Sequence, residues 1–298
     1  MIKEKSFWWL FLILLLAACS TLEPVGASQL RLTPSVTAAA SQTPSRTAAT
    51  ITPDASPFPN ALPSSTPTVS PSPQPAEPEL CSPLQGIPFA ELSQILTNPY
   101  SQPRLGFDEG HPGIDFSYWS RGERKAMKGH PVQSVLEGIV ATIIHNRMPY
   151  GNAIIIESSL SRWSNSNKLK NFIPAPIATV VPDARLNCPK GQGVNAPQTS
   201  NLSLYLLYAH LDQLPSFRPG DSITCGQIIG LVGTTGASKN DHLHFETRVG
   251  PAGIRYNSIA HYTNDATNEE MANYCSWRVS GLFQSIDPNK LLNISSGR

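Results

Sequence analysis

From Pro131 onward, apolar residues occur in short runs that are separated by glycine and by polar positions. Six of these runs, rich in aliphatic and β-branched side chains, have the length and spacing of strands. They lie at Val132–Leu136, Ile139–Ile144, Ala153–Ile156, Leu202–Ala209, Gln227–Val232 and Leu243–Val249. Because no comparable amphipathic helix separates them, the pattern predicts an all-β core in a compact, antiparallel β-sheet.

Two polar stretches interrupt this pattern, residues 158–201 and residues 250–282, and a short helix is predicted near Asn268–Tyr274 in the second. Structureless loops of this length are uncommon in a compact domain and are often functional. We therefore expect two long loop insertions that frame a groove. The first could either narrow the groove or cover it.

Residues 20–80 have a different composition from the rest of the chain. They hold 12 of the 28 prolines, and Pro, Ser, Thr and Ala fill 40 of these 61 positions. Prolines remove backbone donors, and the scarcity of large apolar side chains leaves too little burial to offset the entropy of ordering. The composition predicts a disordered linker over residues 19–80, followed by a folded domain over residues 81–298.

The N-terminus carries Lys3 and Lys5, followed by twelve uninterrupted apolar residues from Phe7 to Ala18. This run is short for a membrane span and is typical of a secretory signal peptide, here residues 1–18. Leu16-Ala17-Ala18-Cys19 resembles the lipobox of bacterial lipoproteins, which implies lipidation of Cys19 and a lipid-anchored protein that faces outside the cytoplasm in the cell envelope. The alternatives are plain secretion and an uncleaved anchor.

Charge and cysteine content narrow the classes further. A formal net charge of +1 argues against a nucleic-acid partner, since such domains are usually strongly basic. Beyond Cys19, four cysteines remain, which suits two disulfides in a compartment outside the cytosol. They are Cys81, Cys188, Cys225 and Cys275, and three pairings are open. None stands in a C-x-x-C motif, so a cysteine-based zinc site is not indicated.

Histidines carry the candidate chemistry. The three motifs are His111-Pro-Gly-Ile-Asp115, Tyr208-Ala-His210-Leu and His242-Leu-His244-Phe-Glu246. Pro112 and Gly113 disfavour a helix, so His111 and Asp115 are predicted to converge through a turn that leads into a strand.

The third motif has the alternation of a strand. His242, His244 and Glu246 fall on one face, while Leu243 and Phe245 fall on the other, where they can seal the core. A catalytic zinc site needs three protein ligands and an open position, and imidazole and carboxylate groups suit it. His111, Asp115 and one histidine of the H-x-H pair supply that set. The spare histidines become candidates for proton transfer or oxyanion stabilisation, which predicts a hydrolase.

In this order the motifs resemble those of the lysostaphin-like (LytM-type) zinc metallopeptidases. The resemblance runs from about Arg104 to Arg248, with Asp287-Pro288 near the end. Further matching segments are Gly129-His-Pro-Val, Glu137-Gly-Ile-Val, Gly151-Asn-Ala-Ile-Ile-Ile, Pro219-Gly-Asp, Gly226-Gln-Ile-Ile-Gly and Gly233-Thr-Thr-Gly.

The resemblance implies a zinc site in a groove and hydrolysis of peptide bonds in peptidoglycan cross-links or stem peptides. His111, Asp115 and His244 match the family's zinc ligands, and His210 and His242 match its two non-ligand catalytic histidines. Which of the two activates the water is left open. For Glu246 two interpretations stand, a solvated strand residue or a hydrogen-bond partner that orients a ligand histidine.

Three alternatives accompany this interpretation. Some relatives have lost these residues and activate cell-wall amidases, so a noncatalytic wall-binding or activator protein is the runner-up. A zinc amidase or a D-Ala-D-Ala carboxypeptidase would use the same apparatus. Lys239-Asn240-Asp241 departs from the family's small glycine-containing turn, so the groove wall there is expected to differ in shape. If the 158–201 insertion obstructs the groove, activity would depend on a regulatory protein partner or on movement of the loop. His130, His145 and His261 are predicted to be structural.

Overall fold

The computed structural model describes residues 78–121, 125–163, 174, 179–190 and 201–293. The predicted signal peptide, Cys19 and nearly all of the predicted linker lie outside these residues, as does much of the 158–201 insertion. Among the described helices, none is long and apolar enough to cross a bilayer.

The described part of the domain contains ten short strands and three α-helices. The strands are β1 Leu96–Asn98, β2 Gly113–Phe116, β3 Pro131–Gln133, β4 Gly138–Arg147, β5 Gly151–Ser159, β6 Leu202–Leu211, β7 Ser222–Ile223, β8 Ile228–Leu231, β9 Leu243–Pro251 and β10 Gln284–Ile286. The helices are α1 Phe89–Leu92, α2 Asn268–Arg278 and α3 Pro288–Leu292. All six predicted strands are present, and the predicted helix is α2, which continues four residues beyond the expected end.

Eight of the strands form one antiparallel sheet, which confirms the predicted fold class. Its order is β1-β2-β9-β6-β5-β4-β7, and β3 and β8 form a separate two-stranded sheet. Strand β9 is the centre of the arrangement because β6 pairs along one edge while β2 and β10 share the other. β2 pairs with the first half of that edge and β10 with the second half. One edge of β9 therefore joins a strand from the early part of the domain to a strand near its C-terminal end.

The sheet buries apolar side chains on both faces. Leu204, Leu206, Tyr208 and Phe245 pack into a first core cluster, which also includes Val132 and Val232 beside the small sheet. Tyr205, Leu207 and Ala209 alternate with them and pack into a second cluster, with Tyr274, Trp277 and Phe283 from the 250–282 insertion and the residues after it. The insertion therefore covers part of the second face, and the candidate site occupies another part of that face.

Helix α2 is held to the sheet at its start. Thr267 forms a capping box with Glu270, which satisfies backbone donors at the helix N-terminus. Arg147 of β4 donates to both Glu270 and Asp265 at 2.7 Å. The Glu270 carboxylate is largely buried, and these bonds from Arg147 lower its pKa to about 2.

The four cysteines form two disulfides, Cys81–Cys225 and Cys188–Cys275. The first ties the start of the folded domain to the turn after β7. The second ties the described end of the first insertion to helix α2 in the second insertion. Cys188 and Cys275 are 87 positions apart in sequence, so this bond closes a long loop.

We predict that the Cys188→Ser/Cys275→Ser double variant loses about 2–4 kcal/mol of unfolding free energy, because its unfolded chain is no longer constrained by that loop. Urea unfolding of the wild-type and double-variant proteins measures the difference. The Cys81→Ser/Cys225→Ser double variant is the matched comparison. Equal stability of wild type and the Cys188/Cys275 variant would contradict the prediction.

Candidate metal centre

Adjacent strands bring the first motif and the third motif together. Asp115 of β2 pairs with His244 of β9, and Gly113 pairs with Glu246. Residues that pair across two strands lie on the same face, so Asp115 and His244 are neighbours by register. His111 precedes β2, as predicted, and a bridge between His111 and Ser101 fixes its backbone.

Three side chains converge at this point. His111 Nε2 lies 3.2 Å from Asp115 Oδ1 and 3.2 Å from His244 Nδ1, and His244 Nδ1 lies 2.8 Å from Asp115 Oδ1. These are the described residues whose ligand atoms are close enough together to hold a metal ion. Three ligands about 2 Å from a tetrahedral zinc ion would stand roughly 3.3 Å apart, so the observed spacing fits one.

Outer hydrogen bonds determine which ring nitrogens face the centre. His111 Nδ1 lies 3.0 Å from the Pro99 carbonyl oxygen, and His244 Nε2 lies 3.0 Å from Glu246 Oε1. Since an oxygen acceptor of this kind requires an N–H, these bonds leave His111 Nε2 and His244 Nδ1 as the metal-facing nitrogens. The tautomer that the outer partners favour is the one that metal ligation needs.

The cluster attracts positive charge. Burial by itself would lower the pKa of His244, but hydrogen bonds to Asp115 and Glu246 raise it to about 9. Burial would likewise raise the pKa of Asp115, yet its contacts with His111 and His244 hold that pKa well below its usual range. Without a metal the site therefore retains a proton at neutral pH, and a divalent cation would take the place of that proton.

Glu246 is the hydrogen-bond partner of His244 on the side away from the cluster. Its side chain is fully buried, and Arg248 Nε donates to Glu246 Oε2 at 2.8 Å. Arg248 keeps the pKa of Glu246 low against the opposing effect of burial. Of the two sequence interpretations, the solvated strand residue is wrong, and the geometry is that of a buried partner of His244.

His210 reaches the same face through a β-bulge. Between the pairs Asn152–Leu211 and Ile154–Tyr208, strand β6 has two residues where β5 has one. His210 has a φ of 60°, in the left-handed region that is uncommon outside glycine. The extra residue of the bulge changes the direction of the side chains that follow it. Ala209 and His210 therefore both lie on the face of the sheet that carries His244.

The second pair of histidines stands beside the first cluster. The ring centres of His210 and His242 are 4.7 Å apart, and His242 Nε2 lies 3.7 Å from Asp115 Oδ1. Nδ1 of His210 contacts the Thr235 carbonyl oxygen at 2.8 Å, and Nδ1 of His242 contacts that of Asn240 at 2.9 Å. Both rings therefore keep a free Nε2. Burial, together with His244 and His242, lowers the pKa of His210 to about 3.

Residues 233–241 hold these rings in place. Thr235 packs against Gly151, whose φ is 68° and where an added Cβ would lie 2.3 Å from the Thr235 backbone. The divergent Lys239-Asn240-Asp241 segment is tied down as well, because Asp241 accepts hydrogen bonds from the backbone of Met127 and Lys128. It forms a wall of the cavity rather than disrupting it.

All five predicted site residues line one open cavity of about 560 Å³. Sequence reasoning missed several of its other lining residues, which are Asp108, Tyr150, Tyr262, Tyr274 and Arg278. Three of them come from the 250–282 insertion, which confirms that this insertion frames the groove. None of the described residues 179–190 of the first insertion lines it; the rest of 158–201 is outside the described residues apart from 158–163, Pro174 and Asn201.

The three histidines outside the cluster lie elsewhere. His130 bonds the Tyr118 hydroxyl and the Gln85 carbonyl oxygen, and His261 bonds the Leu186 carbonyl oxygen. His145 is exposed on β4. None of the three lines the cavity.

Comparison with known proteins supports the predicted resemblance. Residues 166–257, 92 of the 298, match Peptidase family M23. The match includes His210, His242, His244 and Glu246, and it begins after His111 and Asp115. It confirms the resemblance that the motifs indicate. No curated protein matches the chain.

Solved peptidase structures are similar over part of the chain. One is a zinc-containing peptidase from Vibrio cholerae, 22% identical, covering 51% of this chain and 32% of that one, with a TM-score of 0.29. The lysostaphin catalytic domain from Staphylococcus simulans is 20% identical, covering 68% and 97%, with a TM-score of 0.33. The catalytic domain of the prophage-encoded M23 protein EnpA from Enterococcus faecalis, in a point-mutant form, is 18% identical, covering 57% and 89%, with a TM-score of 0.30. This chain spans about a third of the length of the first protein.

We predict that Glu246→Gln lowers the unfolding free energy by roughly 3–5 kcal/mol, because it leaves the buried Arg248 guanidinium without an anionic partner. Denaturant unfolding measures the loss. Glu269→Gln, at an exposed carboxylate on α2, should change stability by no more than about 0.5 kcal/mol. A loss below about 1 kcal/mol in Glu246→Gln would show that the ion pair is not a support of the site.

Proposed function

We propose, from the premise that this chain carries a domain of peptidase family M23, that the protein is a zinc-dependent endopeptidase of peptidoglycan. It would hydrolyse peptide bonds in the cross-links or stem peptides of the cell wall. The observation that carries the proposal is the convergence of His111 Nε2, His244 Nδ1 and Asp115 Oδ1 in an open cavity. His111, Asp115 and His244 would hold the zinc ion.

When bound, zinc would act as a Lewis acid that polarises a peptide carbonyl and acidifies water. The chain's own part is proton handling beside it. His210 and His242 each keep a free Nε2, while each Nδ1–H stays on a backbone carbonyl oxygen. A carbonyl acceptor on the far nitrogen stabilises the imidazolium that forms when Nε2 gains a proton. Burial lowers the pKa of His210 to about 3, so its ring stays neutral and its Nε2 accepts a hydrogen bond. His242 would therefore be the residue that transfers a proton and, once protonated, stabilises negative charge on oxygen.

Glu246 and Pro99 would position the ligands. By accepting the N–H of His244 Nε2 and of His111 Nδ1, they set the tautomer of each neutral ring so that its other nitrogen faces the metal, and they fix the planes of both rings. The noncatalytic alternative, a wall-binding or amidase-activating protein, has no comparable use for five inward-facing side chains arranged in this way.

The sequence features outside the described residues complete the proposal. The lipobox-like segment ending at Cys19 supports lipid anchoring outside the cytoplasm, and the linker would act as a tether. Fully extended as polyproline II, about 61 residues span about 190 Å, and as a flexible coil about 45 Å. A polymeric substrate held away from the membrane suits such a tether.

We predict that His111→Ala loses bound zinc, whereas His242→Ala keeps a stoichiometric amount but releases muropeptides from isolated cell walls about 10²–10⁴ times more slowly. Metal analysis and chromatography of the released peptides measure the two effects. His145→Ala, at an exposed histidine that does not line the cavity, is the matched control.

Two outcomes would count against the proposal. If His111→Ala and His242→Ala both kept full zinc, the ligand assignment would be wrong. A zinc-loaded wild-type protein without hydrolytic activity, whose His242→Ala variant still supports cell separation, would favour the activator function.

We also predict that zinc affinity rises with pH. The pKa of His244 in the metal-free protein is about 9, so below that pH zinc must displace a proton from Nδ1. The apparent dissociation constant should fall about tenfold for each unit of pH between about 6.5 and 8.5 and level off near 9. Competition with a chelator at several pH values measures it, and an affinity independent of pH would contradict the proton displacement.

A further inference from the structure

Two side chains of the cavity carry buried polar atoms without a hydrogen-bond partner. Among the described residues that line it, these are the Tyr150 hydroxyl and Arg278 Nη1. A buried donor that is left unpaired is costly, and nearly all such groups in folded proteins have a partner. Two orphaned donors on one cavity indicate a place where a ligand supplies the acceptor.

Arg278 is fixed at the end of helix α2. Tyr274 and Arg278 are four residues apart and so share one face of the helix. Both donate to Asp108, Tyr274 through its hydroxyl and Arg278 through Nε at 2.6 Å. Tyr262 donates to Asp108 as well. The Asp108 carboxylate is thereby fully engaged, while Nη1 of the guanidinium stays unpaired.

Tyr150 lies between this ion pair and the metal-binding cluster. Its ring centre is 6.3 Å from that of His244 and 6.4 Å from that of Tyr274. The Tyr150 carbonyl oxygen accepts from the backbone N–H of His210, so the bulge in β6 fixes its backbone. The ring is almost completely buried. Tyr150 is therefore held in place next to His244, and its buried hydroxyl has no partner.

We propose that Tyr150 and Arg278 form a subsite that binds a carboxylate of the substrate peptide next to the metal centre. The inference rests on the proposed peptidase function. A guanidinium N–H and a phenol O–H are both donors, and charge-assisted bonds to a carboxylate are about twice as strong as neutral ones. An uncharged amide would leave the guanidinium with a weaker acceptor.

Stem peptides offer this chemistry in two places. One source is the carboxylate at the C-terminal end of the peptide, and the other is a carboxylate branching from a residue inside it. Arg278 also borders a second cavity of about 350 Å³, together with Arg248, whose Nη2 is likewise unpartnered. Tyr150 does not border that cavity, so a variant of Tyr150 separates the two locations.

The test measures binding, so that it does not depend on turnover. Zinc-loaded protein carrying His242→Ala, to prevent cleavage, is titrated by calorimetry with three synthetic stem peptides. One has all its carboxylates free, one has an amidated C-terminus, and one has an amidated internal carboxylate. We expect the free peptide to bind roughly 10- to 100-fold more tightly than one of the two amides, and the weaker amide identifies the source.

Tyr150→Phe and Arg278→Lys, each added to this background, should reduce the preference to less than about threefold. Tyr150→Phe removes only a hydroxyl that has no partner, so its thermal midpoint should not fall. Tyr256→Phe is the matched control, because its buried hydroxyl bonds Ser276 and it belongs to the second core cluster rather than to the cavity. That variant should keep the full preference.

Three results would overturn the subsite. They are no preference in the parent protein, an unchanged preference in Tyr150→Phe and Arg278→Lys alike, and a loss confined to Arg278→Lys, which would move the anion to the second cavity. Failure of the proposed function looks different. In that case wild-type protein releases nothing from cell walls, while the preference for the free carboxylate and its loss in both variants persist.

Discussion

The site depends on the hydrogen bonds that its histidines make away from the centre. His111 and His244 each give one ring N–H to a fixed oxygen, and each turns its other ring nitrogen towards Asp115. Three electron-pair donors this close repel one another unless a cation or a proton stands between them. Three features of the domain keep these three side chains close together. They are the register of β2 and β9, the buried Arg248 that pairs with Glu246, and the disulfide between the two insertions.

The sheet can hold such a cluster because its two faces are divided between different tasks. One face is sealed by the first core cluster and the small second sheet, which keeps β9 rigid. The other face is apolar where the 250–282 insertion covers it and polar where the cavity opens. A single strand, β9, crosses from one region to the other, so His244 stands on the same backbone as Arg248, which donates to the Trp277 carbonyl oxygen at 2.9 Å.

Much of this could be predicted from the sequence, because the informative signals are local. Period-two alternation around His244 and Glu246 is set by neighbouring residues, and it placed both on the correct face. The bulge at His210 left no such trace, since it arises from the pairing of β6 with β5 and a positive φ at a residue that is not glycine. The short strands β1, β7 and β10 have too few residues to show alternation. Asp108, the carboxylate partner of Arg278, is 170 positions away in sequence, and only the folded chain brings the two side chains together.

Asp108 connects the 250–282 insertion to the loop that carries His111. It stands three residues before His111, and it accepts from Tyr262, Tyr274 and Arg278, all of which belong to the 250–282 insertion. The loop that carries one of the cluster's histidines and the insertion that walls the cavity are therefore a single mechanical unit. Loop exchange between relatives, a common route to altered specificity, would have to transfer residues 104–111 along with the insertion. Transplanting either segment alone would leave a buried carboxylate facing no cation, or a buried guanidinium facing no carboxylate.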